Sequence, residues 1–120
     1  MRLLPSLASL VLLALPVTAQ AACPGDTQIE LNECAAADYK TADAELNAVW
    51  KRAKAYYDRI GHGGDLLDAQ RKWLAFRDAT CQVEIMPYDG GSIQPLIYSS
   101  CLTRTTRHRT EDLTQMLPEG

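Results

Sequence analysis

The sequence is short of the residues that usually do chemistry. It has two histidines among 120 residues, His62 and His108, and no motif joins either to a nucleophile. There is no phosphate-cradling loop, no nucleophile elbow and no pair of metal ligands one helical turn apart. No nucleophile, base and oxyanion donors assemble, so the expectation is a non-enzyme with no cofactor and no metal. Strand-like alternation and internal repeats are also missing, which leaves helices. Positive charge is in deficit: the formal net charge is −3, and roughly −4 once Arg2 is removed with the leader. That balance argues against nucleic acid or an anionic membrane and suits a basic protein partner.

The first residues are of a different kind. Arg2 precedes an apolar run from Leu3 to Val17, and Ala19-Gln20-Ala21 places small residues at −3 and −1 of a cleavage site. Residues 1–21 therefore read as a cleaved secretory signal peptide, with a single helical domain over 22–120. A retained membrane helix is the alternative. Pro5, Ser6, Ser9 and Pro16 interrupt the run and no basic stop-transfer cluster follows, so no stable membrane anchor is expected. Lipidation of Cys23 is a second alternative, but Gln20 is not the aliphatic residue such a signal wants. The expected location is the periplasm or the medium.

Three helices follow from the spacing. Thr27 and Glu30 fit a capping box. Leu31, Ala35, Tyr39, Ala42, Leu46, Val49, Ala53, Tyr56 and Ile60 then recur at steps of four and three, which buries one face. Trp50 and Tyr57 flank that stripe, as core rim or as ligand-stacking rings. Gly61-His62-Gly63-Gly64 closes the helix and reads as a flexible link, with Asp65 capping the second helix. The second helix runs to about Ile85 and carries Leu66, Leu67, Gln70, Trp73, Leu74, Arg77 and Cys81 on one side. Gln70 and Arg77 sit inside this apolar stripe, where a charge is tolerated only if paired and hydrogen-bonded. Trp73 and Arg77 are taken as structural, Arg77 as a clamp; binding a ligand acid is its other reading. Pro87 and Gly90-Gly91 break the chain. A third helix begins at Ser92, with Pro95 in its first turn, and its apolar signal fades after about Arg104. Arg104, Arg107, His108 and Arg109 make a small basic patch, either a solvated helix end or an acid-binding site.

Four cysteines in an exported chain imply two disulfides, with three possible connectivities. Cys23 and Cys34 are close enough for the lead-in to fold back on the first helix. Cys81 and Cys101 lie on the inward sides of neighbouring helices. The expected pairs are Cys23–Cys34 and Cys81–Cys101. A zinc site is the rival, without the close Cys-x-x-Cys pairing that zinc sites favour. The fold class is all-α: a small, disulfide-stapled, antiparallel three-helix bundle.

An ordered set of residues now suggests a family. It comprises Thr27-Gln28-x-Glu30-x-Asn32-x-Cys34, Ala42-Asp43-x-Glu45-Leu46-Asn47 and Gln70-x-x-Trp73-x-x-Phe76-Arg77-Asp78-x-x-Cys81. Gly90-Gly91-Ser92-x-x-Pro95-x-Ile97-Tyr98-x-x-Cys101-Leu102-x-x-Thr105-x-x-Arg109 completes it. Together these resemble the LprI-type lysozyme-inhibitor domain. The resemblance implies a protein partner, lysozyme, whose cleft the domain would block with a loop. The candidate loops are Gly61–Asp65, with His62 to meet a cleft carboxylate, and Pro87–Ser92, with Tyr88 to fill a sugar subsite and Asp89 and Ser92 as further partner contacts. Each is otherwise an ordinary connector. The alternative function is a non-catalytic envelope binding or immunity module for a different protein.

Overall fold

The computed structural model describes residues 23–119. The expected signal peptide over residues 1–21 lies outside them. The described chain forms α1 (Gln28–Arg59), α2 (Gly63–Ile85), a 3-10 turn (Met86–Tyr88) and α3 (Gln94–Gln115).

α1 starts where its capping box puts it. The Glu30 backbone N–H donates to Thr27 Oγ1 at 3.2 Å, and Glu30 Oε2 accepts from the Asp26 and Thr27 backbone N–H groups at 2.9 and 3.1 Å. The helix ends in a Schellman motif. The His62 N–H reaches the Tyr57 carbonyl at 2.8 Å and the Gly61 N–H reaches the Asp58 carbonyl. Gly61 has φ +84°, a conformation a side chain would strain. This reversal leaves Ile60 exposed, although its spacing places it on the buried stripe.

The reversal is tighter than the glycine-rich sequence suggests. α2 already begins at Gly63, two residues before Asp65, with His62 as its N-cap. Asp65 sits at the third helical position instead. There its carboxylate lies 3.0 Å from His62 Nδ1 and meets the positive end of the helix dipole. Gly63 is buried against Asp58.

The helices run up, down and up. At one end, Leu46 and Ala53 of α1, Leu66 of α2 and Leu113 of α3 form a core cluster, rimmed by Val49, Trp50, Tyr57, Trp73 and Leu117. At the other, Cys81, Cys101 and Leu102 pack with Tyr39 and Tyr98. α1 and α3 are thus parallel, with α2 antiparallel to both. The disulfides are Cys23–Cys34 and Cys81–Cys101, the pairing expected from spacing. The first ties the lead-in to α1 and the second joins α2 to α3.

α3 departs most from its sequence reading. It starts at Gln94, not Ser92, and continues past Arg104 to Gln115 with Thr103, Thr106, Arg109 and Leu113 buried. Its inward face is built partly from threonine and arginine, so hydropathy fades while packing does not.

Two stability tests follow from this framework. Replacing Cys81 and Cys101 together by serine opens a 20-residue crosslink, and about 3 kcal/mol of stability should be lost by urea denaturation. The second concerns acid. Hydrogen bonds from the backbone of Thr27 and then of Asp26, with the Thr27 side chain, hold the Glu30 carboxyl below its ordinary 4.5. A carboxyl lowered by folding stabilises above its unfolded value, and that contribution is lost as pH falls through the folded one. The melting temperature should therefore decline below about pH 4.5, and Glu30→Gln, which keeps an acceptor but cannot titrate, should flatten that decline.

Candidate functional site

The side chains on the inward face of α2 form the most organised polar arrangement in the bundle. Gln70, Trp73 and Arg77 are spaced by three and four residues, so they stack along one face. Arg77 is buried. Its Nη1 donates to the Tyr39 hydroxyl of α1 at 3.1 Å, and its Nε donates to Asp78 Oδ1 at 2.9 Å. The guanidinium also lies over two rings, 5.3 Å from the Trp73 centroid and 5.7 Å from that of Tyr39.

A second guanidinium approaches the same indole from α3. Arg109 lies 5.9 Å from the Trp73 centroid and donates from Nε to Gln70 Oε1 at 2.8 Å. Arg109 is buried, so it does not belong to the surface basic patch in which the sequence places it. Burial pulls its guanidinium below its ordinary value, while the nearby Asp112 charge pulls it back up. Its Nη2 has no hydrogen-bond partner among the described residues. Gln70 and Arg77, the two polar intrusions in the α2 stripe, are thus explained by one residue from each neighbouring helix.

The rest of the basic patch lines a cleft of about 540 Å³ between the start of α1 and α3. Arg104, Arg107 and His108 stand in its wall with Asp38 and Glu111. Arg104 is bonded to Glu84 of α2 at 2.6 Å. Thr103 Oγ1, in the same wall, is buried without a partner. Asp38 Oδ2 lies 3.5 Å from Cys23 Sγ. Both Cys23 and Cys34 are oxidised here, so their sulfurs are not thiolates free to take a metal.

The two candidate loops are held apart. His62 lies in the turn between α1 and α2. Tyr88, Asp89 and Ser92 lie between α2 and α3, where Asn32 Nδ2 donates to the Ser92 carbonyl at 3.0 Å and ties this turn to the start of α1. The 23 residues of α2 separate the two turns, about 35 Å at the helical rise. They are therefore separate candidate contacts. Tyr88 and Asp89 are exposed, and so is His62.

Arg77→Ala should lower stability by about 2 kcal/mol, because the Tyr39 hydroxyl loses its donor inside the bundle. Tyr39→Phe should cost about 1 kcal/mol, and the double variant less than the two effects added. Denaturation midpoints measure all three, and an unchanged midpoint for Arg77→Ala would remove the clamp.

The family described as "Lysozyme inhibitor LprI" matches residues 19–113. "Uncharacterized protein R02472" of Rhizobium meliloti (strain 1021) is 33% identical over 94% of this chain and 93% of its own length. No solved structure matches. The ordered cysteines, the inward-facing Gln70, Trp73 and Arg77, and a family match across nearly the whole described bundle lead to one conclusion: the chain belongs to the LprI lysozyme-inhibitor family.

Proposed function

We propose that this protein is exported and inhibits lysozyme by binding it and obstructing its cleft. The family match over residues 19–113 carries the reading. Two disulfides and that family point to a protein working outside the cytoplasm. Among the described residues no helix is long and apolar enough to cross a membrane. We take residues 1–21 as the leader that delivers the chain.

Inhibition in this reading is occlusion, with no reaction on the inhibitor. Lysozymes of the common animal type are basic and carry two carboxyl groups in the cleft. A net-acidic domain is steered toward such an enzyme, and its association slows as salt rises. His62 at one end of the bundle, or Tyr88, Asp89 and Ser92 at the other, supplies the contacts that enter the cleft. A bundle stapled by disulfides loses little conformational freedom on docking, which favours tight binding.

The purified domain, from Ala22 onward, should slow lysis of bacterial cell walls by at least one lysozyme type at a stoichiometric ratio. Full activity of every lysozyme type at excess domain would remove the proposal. Binding of the domain to a different envelope protein in that case would favour an adaptor or immunity role.

A further inference from the structure

The outward face of α2 reverses the usual arrangement of a surface helix. Phe76, Ala79, Val83 and Met86 recur at steps of three and four and point to solvent. Phe76 is 63% exposed, Val83 62%, Met86 64%, and Tyr88 just beyond is 40% exposed. The strip is about 15 Å long from Phe76 to Met86. Scattered apolar residues on a surface need no account, but an aligned row ending in an exposed tyrosine marks a contact surface.

Most charges around the strip are already paired within the bundle. Between Phe76 and Ser92 the acidic residues are Asp78, Glu84 and Asp89, and the single basic residue is Arg77. Arg77 is buried beneath Trp73 and Tyr39 on the inward face. One turn before Phe76, the Lys72 ammonium is held by Asp68 at 2.8 Å. Glu84 is bonded to Arg104 and Asp78 to Arg77, leaving Asp89 as the exposed acid beside the strip that is free to meet a partner.

We infer that this strip, from Phe76 to Tyr88, is the face that docks a basic protein. Its apolar row enters the centre of the contact and Asp89 meets lysine or arginine at the rim. A second copy of this chain fits less well, since both copies carry the same net charge of −3. An anionic bilayer is repelled for the same reason. The inference rests on the inhibitor reading and sharpens it: the partner contact spreads from the Tyr88 turn along α2, and the His62 turn at the far end is free of it.

The test uses the disulfide-intact domain and a basic animal-type lysozyme as the probe. Phe76→Glu and Val83→Glu replace exposed side chains, so far-UV circular dichroism and melting temperature should stay those of the parent. Each should weaken binding roughly 30-fold or more. Asp89→Lys should slow association, with a smaller salt dependence. Gln115→Ala, an exposed change at the far end of α3, should bind as the parent does. Parental affinity for both glutamate variants, with the parent itself binding, would overturn the docking face and leave the inhibitor reading standing. Failure of the parent to bind would remove both. A concentration-dependent dimer in sedimentation that Val83→Glu abolishes would assign the face to a second copy and also overturn the inference.

Discussion

Two guanidinium groups share one indole. Arg77 and Arg109 approach the Trp73 ring at 5.3 and 5.9 Å, and each is anchored by one hydrogen bond to another helix, Arg77 to Tyr39 and Arg109 to Gln70. Two buried cations so near one another repel. The aromatic ring between them, the Asp78 carboxylate on Arg77 and the Asp112 charge near Arg109 offset that cost. Lysine could not replace either residue, because the arrangement needs a flat, weakly hydrated cation that stacks and donates in its plane. Since α1, α2 and α3 each supply a member, the register of all three helices is fixed by directional bonds that slippage would break.

Such a fastening matters because the apolar core is thin. Among the described residues, three of the nine buried apolar ones are alanines on α1, Ala35, Ala42 and Ala53, which let the neighbouring helices approach closely but bury little area. A core this slight leaves little stability above the entropy of ordering about 100 residues. The disulfides supply the remainder by restricting the unfolded chain, and both lie toward the same end of the bundle. Cys23–Cys34 secures the start of α1, and Cys81–Cys101 holds the end of α2 against the start of α3. The opposite end is closed by the Schellman turn and the Leu46, Leu66 and Leu113 cluster.

Much of this was legible in the sequence wherever the signal is local or periodic. The Thr27–Glu30 box fixes the start of α1, and the spacing of Gln70 and Arg77 among apolar residues marks them as inward polar groups. Arg109 was misplaced although the same logic applies to it. Leu102, Thr106, Arg109 and Leu113 recur at steps of four, three and four, and that row is the buried face of α3. Composition hid it, because two of its four members are polar and the partner of one, Arg109, lies 39 residues away in sequence. The start of α2 was misread for another reason. Gly63 and Gly64 have poor helix propensity, but the Schellman reversal leaves so little chain that they must be helical. The outer strip of α2 escaped notice because Phe76 and Val83 fall off the stripe that defines the buried side. The signal was their own spacing of seven.

The two faces of α2 can be compared directly. Inward it buries a glutamine and an arginine; outward it exposes a phenylalanine, a valine and, just past its end, a methionine. Exchanging the two sets would bury more apolar area and hydrate the charge, so stability alone would favour the reverse order. The inward polar groups are accounted for by the register they impose on α1 and α3. Among the described residues the outward apolar row receives no such return, because it joins neither core cluster. Its cost in water falls when another surface covers it, and Val83 lies two residues from the Cys81–Cys101 crosslink. A face that is apolar and tied to α3 by a crosslink two residues from Val83 is shaped before contact, which lowers the cost of docking.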